Sequence, residues 1–121
     1  MKPTANVVSI HPYFKAHPGQ LATFRALMPA FVAKAATESA CLHYDFTICG
    51  DEVFCRELYV GAAGVLAHLA NVGPELDAAL KISDLTRLEL HGPAAELDPL
   101  REPLAGFQPR WFVRECGVEA D

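Results

Sequence analysis

The sequence predicts an α+β domain whose strands and helices follow the order β-α-β-β-α-β, with a short helical turn and a strand added at the end. Three observations carry that reading. Two alternating runs meet at Gly50-Asp51, which is a hairpin signal. Apolar residues recur at helical spacing over about 19–36 and again over 61–72. Alternating stretches at 5–14 and 84–91 precede the first of these helices and follow the second.

In residues 5–14, Val8, Ile10 and Phe14 point one way while Ser9, His11 and Tyr13 point the other. Pro12 offers no N–H to a ladder, so an edge position or a bulge is expected there. His17-Pro18-Gly19 breaks the strand, and Pro18 suits a helix start. The first helix, 19–36, presents Leu21, Phe24, Leu27, Met28, Phe31, Val32 and Ala35 as its apolar stripe. Pro29 lies inside it and crowds the carbonyl of Arg25, so a kink is expected beside Met28.

A two-residue loop at Gly50-Asp51 sets Ile48 against Val53, Phe46 against Cys55, Tyr44 against Glu57 and Leu42 against Tyr59. Leu42, Tyr44, Phe46, Ile48, Val53 and Cys55 then form one apolar face that also carries Glu57 and Tyr59. A slip of one residue would turn the whole set over, so burial enforces the register. On the other face Asp45 opposes Arg56, which favours a cross-strand ion pair. A carboxylate among apolar neighbours, Glu57, is the first sign of a site.

The second helix, 61–72, buries a stripe of Ala62, Val65, Leu66, Leu69 and Val72, with His68 at its edge. Residues 74–80 read as a further short helical turn. In the strand at 84–91, Thr86, Leu88 and Leu90 share one face and Arg87, Glu89 and His91 the other. Gly92-Pro93 ends it. Pro99 and Pro103 limit Ala94–Gly106 to about two helical turns, Arg110–Arg114 reads as a brief strand, and Gly117–Asp121 as a loose acidic tail. The whole is a ferredoxin-like arrangement, an antiparallel sheet with helices on one face. Residues 1–121 make one domain, with a core at 5–92 and a C-terminal extension at 93–121. The uncovered sheet face, where His11, His43, Asp45, Arg56, Arg87 and Glu89 fall, predicts a homodimer that packs two such faces together.

A chain of 121 residues buries one core. Its net charge of -5 and pI near 5.4 speak against nucleic-acid or membrane-surface partners. No signal-peptide pattern opens the sequence and no apolar run approaches a membrane span of roughly 20 residues, so the cytoplasm is the expected location. Cys41, Cys49, Cys55 and Cys116 lack the paired spacing of a zinc site, and the hairpin register sets Cys49 against Glu52 rather than Cys55. They read as reduced, small apolar fillers. His11, His43 and His91 lack a helical metal-ligand spacing, and no metal is expected.

Glu38-x-Ala-Cys41-Leu-x-Tyr44, Phe54-Cys-Arg-Glu57-Leu-Tyr59 and Gly64-Val-Leu-Ala-His68-Leu, in this order and spacing, resemble the antibiotic biosynthesis monooxygenase domain family. That family includes quinol monooxygenases and dimeric α/β-barrel proteins. The resemblance covers about residues 5–92. Ala40 stands where the family has glycine, and Tyr59 where it has tryptophan. The resemblance implies a dimeric α/β barrel and a cofactor-independent oxygenation, in which a quinol, anthrone or similar aromatic molecule is deprotonated and reacts with O₂ without metal or flavin. The roles implied are catalytic ones for His68, Glu57, Tyr44 and Tyr59, with His68 as base, and substrate walls at Phe24, Met28, Phe31, Phe46 and Leu69. His68 reads equally as a bond that holds the helix on the sheet, and Glu38 as a helix-end or loop anchor. Two other readings of the fold are a non-catalytic, small-ligand-binding or stress-linked dimer and a haem-degrading relative. Residues 73–82 lack the histidine such a relative would use for iron.

Overall fold

A computed structural model describes residues 6–118; the expectations for residue 5 and for the end of the acidic tail lie outside the described residues. The elements are β1 (Val7–Ala16), α1 (Leu21–Ala35), β2 (Cys41–Cys49), β3 (Glu52–Val60), α2 (Gly61–Asn71), α3 (Gly73–Ile82), β4 (Ser83–Gly92), α4 (Ala94–Leu97), two 3-10 turns (Asp98–Leu100 and Ala105–Phe107) and β5 (Arg110–Val113). The sheet order is β2-β3-β1-β4-β5, antiparallel throughout except for the parallel β4–β5 pair. Its first four strands are the ferredoxin-like sheet. The C-terminal strand extends that sheet and makes it mixed.

The β2–β3 hairpin keeps the predicted register from Cys49 opposite Glu52 to Tyr44 opposite Glu57, with Gly50 in the left-handed conformation at the turn (φ 62°). Beyond that point the expectation fails. A bulge between Cys41 and His43 sets Cys41, not Leu42, against Tyr59, and Leu42 is exposed. One extra residue reverses the alternation locally.

β1 is a central strand between β3 and β4, so Pro12 does not mark an edge. Pro12 itself is paired with Leu88, and the irregularities lie beside it. Pairing with β3 skips His11 and Pro12, and the β1–β4 register shifts between Tyr13 and Phe14. Thr86 is the extra residue on β4; it is exposed and its hydroxyl donates to the Tyr13 carbonyl at 3.1 Å. Leu85 takes the inward place predicted for Thr86 and packs among the core side chains.

α1 continues through Pro29, with Phe24, Phe31 and Ala35 buried and Val32 exposed. On α2 the buried residues are Gly61, Ala62, Gly64, Val65 and His68, while Leu66 is exposed. The helix is therefore rotated from the predicted stripe, and His68 lies on its buried face rather than at the rim. Gly64 is the cause. A Cβ on it would meet the Ala40 Cβ at 2.9 Å and the Tyr59 Cβ at 3.2 Å, so the helix comes closest to the sheet along its glycine line. His68 follows Gly64 by four residues and shares that line.

Two groups of buried side chains form the core. Phe14, Phe24, Phe31, Val53, Val72 and Ala79 pack under α1 and α3. Val8, Ile10, Tyr59, Val65 and Leu90 pack under α2 together with Leu97, Leu100 and Leu104 of the extension. Each fully buried large side chain contributes on the order of 1.5–3 kcal/mol. Glu96 ties the extension down further, its Oε1 accepting the N–H of Ala62 in the first turn of α2 at 2.8 Å.

Gly64→Val should cost about 1–3 kcal/mol by overpacking, and Ala40→Gly in the same chain should recover part of the loss. Denaturant unfolding checks both; a wild-type midpoint for Gly64→Val would show that the helix has room to spare.

Candidate active site

Alternation along β3 sends Cys55, Glu57 and Tyr59 to the helix-covered side, where Glu57 is 5% exposed and Tyr59 fully buried. Tyr44 on β2 lies directly opposite Glu57. α2 starts immediately after β3, and the close approach at Gly64 lowers His68, 2% exposed, into the same space. Its imidazole sits between two aromatic rings, Tyr59 at 4.9 Å and Tyr44 at 5.1 Å between centroids.

Glu38 comes from the turn between α1 and β2. Its carboxylate accepts from His68 Nδ1 at 2.9–3.0 Å and from Asn71 Nδ2 at 2.8 Å. A carboxylate acceptor requires the proton on Nδ1, which leaves the Nε2 lone pair facing Glu57 Oε1 at 3.4 Å. The Tyr59 hydroxyl donates to that same Oε1 at 2.7 Å. Glu38, His68, Glu57 and Tyr59 thus form one buried chain.

Burial raises the Glu57 carboxyl to about 7, against the pull of hydrogen bonds from Tyr59 and Cys55; the charge of Glu38 adds to the rise. Burial lowers His68, and the Glu38 contact partly restores it. Burial and the charge of Glu57 raise Tyr44, Tyr59 and Cys55, which keep their protons. Near neutral pH the site holds a neutral imidazole with a free Nε2 next to a carboxyl that can carry a proton. A proton donor and an acceptor within reach of each other suit general acid–base work.

A cavity of about 60 Å³, well above the roughly 10–15 Å³ that one water needs, opens from this group into the seam between the two core groups. Glu57, His68, Tyr44 and Cys55 are its polar lining, and no Lys or Arg borders it among the described residues. Of the predicted walls, Phe24, Phe31, Phe46 and Leu69 border the cavity. Met28 does not; it packs behind them against the phenylalanine group. Tyr59 also stands behind the cavity, its hydroxyl committed to Glu57. Sequence reasoning did not assign Glu38 and Asn71 to the site. The available signals were the acidic residue of the Glu-x-Ala-Cys motif and the spacing of His68 and Asn71 on one helix face. Leu104 and Phe107 of the extension were missed as well, and both line the cavity.

His11 and His91 meet edge to face at 4.9 Å on the opposite side of the sheet, where His43 pairs instead with Asp45 at 3.2 Å. No group of three or more His, Cys, Asp or Glu suited to a metal ion occurs among the described residues. The four cysteines are free, and no described helix is long and apolar enough to cross a membrane.

MupZ from Pseudomonas fluorescens has the same fold at a TM-score of 0.91 and 36% identity, over 95% of each chain. Rv0793 from Mycobacterium tuberculosis matches at a TM-score of 0.65 and 21% identity, covering 73% of this chain and 95% of its own. A Caulobacter crescentus protein described as a candidate antibiotic biosynthesis monooxygenase matches at 0.64 and 19%, covering 71% and 88%. No family model and no curated protein matches the sequence. The fold and these likenesses place the chain in the antibiotic biosynthesis monooxygenase-like fold family. Within it, the chain belongs with MupZ, whose match runs over nearly its full length.

Between pH 4.5, the ordinary carboxyl value, and about 7, the native protein keeps a proton on Glu57 that the unfolded chain releases. Stability therefore falls as pH rises through that window, by on the order of 3 kcal/mol. His68, neutral in the native state, acts in the opposite sense below its ordinary value of 6.5. The difference in unfolding free energy between wild type and Glu57→Gln isolates the carboxyl. It should shrink from pH 4.5 to 7 and then level off; a constant difference would mean that Glu57 is ionised throughout.

Proposed function

We propose that this protein is a cofactor-independent monooxygenase that oxidises a quinol, an anthrone or a similar electron-rich aromatic molecule with O₂. The observation that carries the reading is the acceptor Nε2 of His68, held by Glu38 at the polar end of an otherwise apolar, aromatic-walled cavity. His68 takes the acidic proton of the substrate, and Tyr44 hydrogen-bonds the resulting oxygen anion. Phe24, Phe31, Phe46 and Leu69 hold the ring and keep water away, which strengthens every electrostatic contact in the site. The anion gives an electron to O₂, one oxygen atom stays on the ring carbon as a carbonyl, and the other leaves as water with the two hydrogens removed from the substrate. Glu38 positions the imidazole, as a second carboxylate does for many catalytic histidines. Met28 and Tyr59 support the walls and Glu57 from behind.

One observation favours a second reading. Glu57 can be protonated near neutral pH while Nε2 beside it is free, and a paired donor and acceptor suit a non-oxidative isomerisation or addition. Oxygen uptake on metal-stripped protein with a panel of quinols and anthrones separates the two. His68→Ala should lower uptake at least tenfold in protein that remains folded at the assay temperature, although its unfolding midpoint falls because a buried, bonded side chain is lost; unchanged uptake would remove His68 from the chemistry. Substrate loss without oxygen consumption would favour the second reading. Binding without turnover would leave a ligand-binding protein.

The working unit is read as a cytoplasmic homodimer joined through the outer sheet face. That face carries the Asp45–Arg56 pair at 3.3 Å, the Arg87–Glu89–His91 group and the stacked rings of His91 and Phe112 at 4.4 Å. Interlocking charges and flat rings of this kind suit a self-complementary contact. Light scattering at micromolar concentration should give twice the chain mass; a monomer would contradict the interface.

A further inference from the structure

We propose that the C-terminal extension is the specificity wall of the cavity, with Leu104 and Phe107 restricting it to an uncharged aromatic ligand whose one polar atom meets the Tyr44–His68–Glu57 end. This rests on reading the cavity as the substrate site, but not on oxidation as its chemistry. The extension is a fixed part of the fold. Leu97, Leu100 and Leu104 are buried, the Glu96 carboxylate holds the first turn of α2, and β5 pairs along β4. The Arg101 guanidinium lies over the Trp111 ring at 4.9 Å and fastens the turns to the last strand.

From this anchored segment two side chains reach the cavity. Leu104 is buried between the cavity and the core, whereas Phe107 is 38% exposed and stands where the cavity meets solvent. The residue after it, Gln108, has a left-handed backbone (φ 52°, ψ 52°) that turns the chain sharply from the last 3-10 turn towards β5. A non-glycine residue held in that region marks a shape that its surroundings impose.

The cavity's charge narrows the ligand further. Glu57 lies on its wall, Glu38 is one imidazole away, and no lining cation answers them. A carboxylate or phosphate brought there would be desolvated without a partner, which is costly. An uncharged hydroxyl or carbonyl meets both a donor and an acceptor. The match to MupZ covers 95% of the chain, against 73% for Rv0793 and 71% for the Caulobacter protein.

Calorimetric titration under argon at pH 8, with 1-naphthol, 1-naphthoate and the three-ring anthrone, tests this without turnover. Wild type should bind 1-naphthol at least tenfold more tightly than 1-naphthoate. Phe107→Ala should move the anthrone-to-naphthol affinity ratio at least fivefold towards the larger ring, and Phe107→Leu should move it the same way by less. An unchanged ratio in both variants overturns the wall. Naphthoate binding as tightly as naphthol overturns the charge selection, and failure of both uncharged probes to bind wild type overturns the ligand class. Binding as expected but without oxygen uptake in air would overturn the oxidative reading alone.

Discussion

The structure depends on one buried contact, the imidazole of His68 held between the carboxyls of Glu38 and Glu57. Three ionisable groups in so dry a place would be ruinous if all carried charge. The arrangement limits that burden. Burial favours the proton on Glu57 and a neutral imidazole, and His68 and Asn71 both donate to Glu38. Moving that proton from Glu57 to Nε2 leaves the net charge unchanged. A group that can shift a proton at constant net charge is well placed for acid–base chemistry.

Getting three chain segments to that point explains features that otherwise look unrelated. β3 supplies Glu57 by alternation, the α1–β2 turn supplies Glu38, and α2 supplies His68 only because Gly64 lets the helix settle onto Ala40 and Tyr59. Ala40 and Gly64 are complementary: the Ala40 methyl group sits where the facing helix has no side chain. The rings of Tyr44 and Tyr59 then fix the imidazole from both sides. The cavity lies beside this group because the two halves of the core meet there without closing on one another. Leu104 and Phe107 of the extension border what would otherwise be its open side.

Much of this was legible in the sequence where local rules decide. Gly50-Asp51 and strict alternation set the hairpin register across Asp45–Arg56 and Tyr44–Glu57, and an acidic residue on an apolar face pointed to Glu57. The errors fall where local rules compete with packing. Bulges at Leu42 and Thr86 each insert a residue whose face alternation misassigns, and a central strand tolerates Pro12 because the ladder beside it is already interrupted. Met28 and Tyr59 carry suitable chemistry but stand one layer behind the cavity. No periodicity resolves that difference.

The sequence by itself determined the order of elements, the hairpin register from Cys49–Glu52 to Tyr44–Glu57, and the placing of Glu57 on an apolar, aromatic face, because these follow from spacing along the chain. Only the tertiary structure decided that His68 faces inward, that Glu38 holds it, and that the extension walls the cavity. Those facts depend on how closely one helix approaches a sheet and on where a distant segment docks. Both are set by contacts between residues far apart in sequence, such as Gly64 with Ala40 and Glu96 with Ala62.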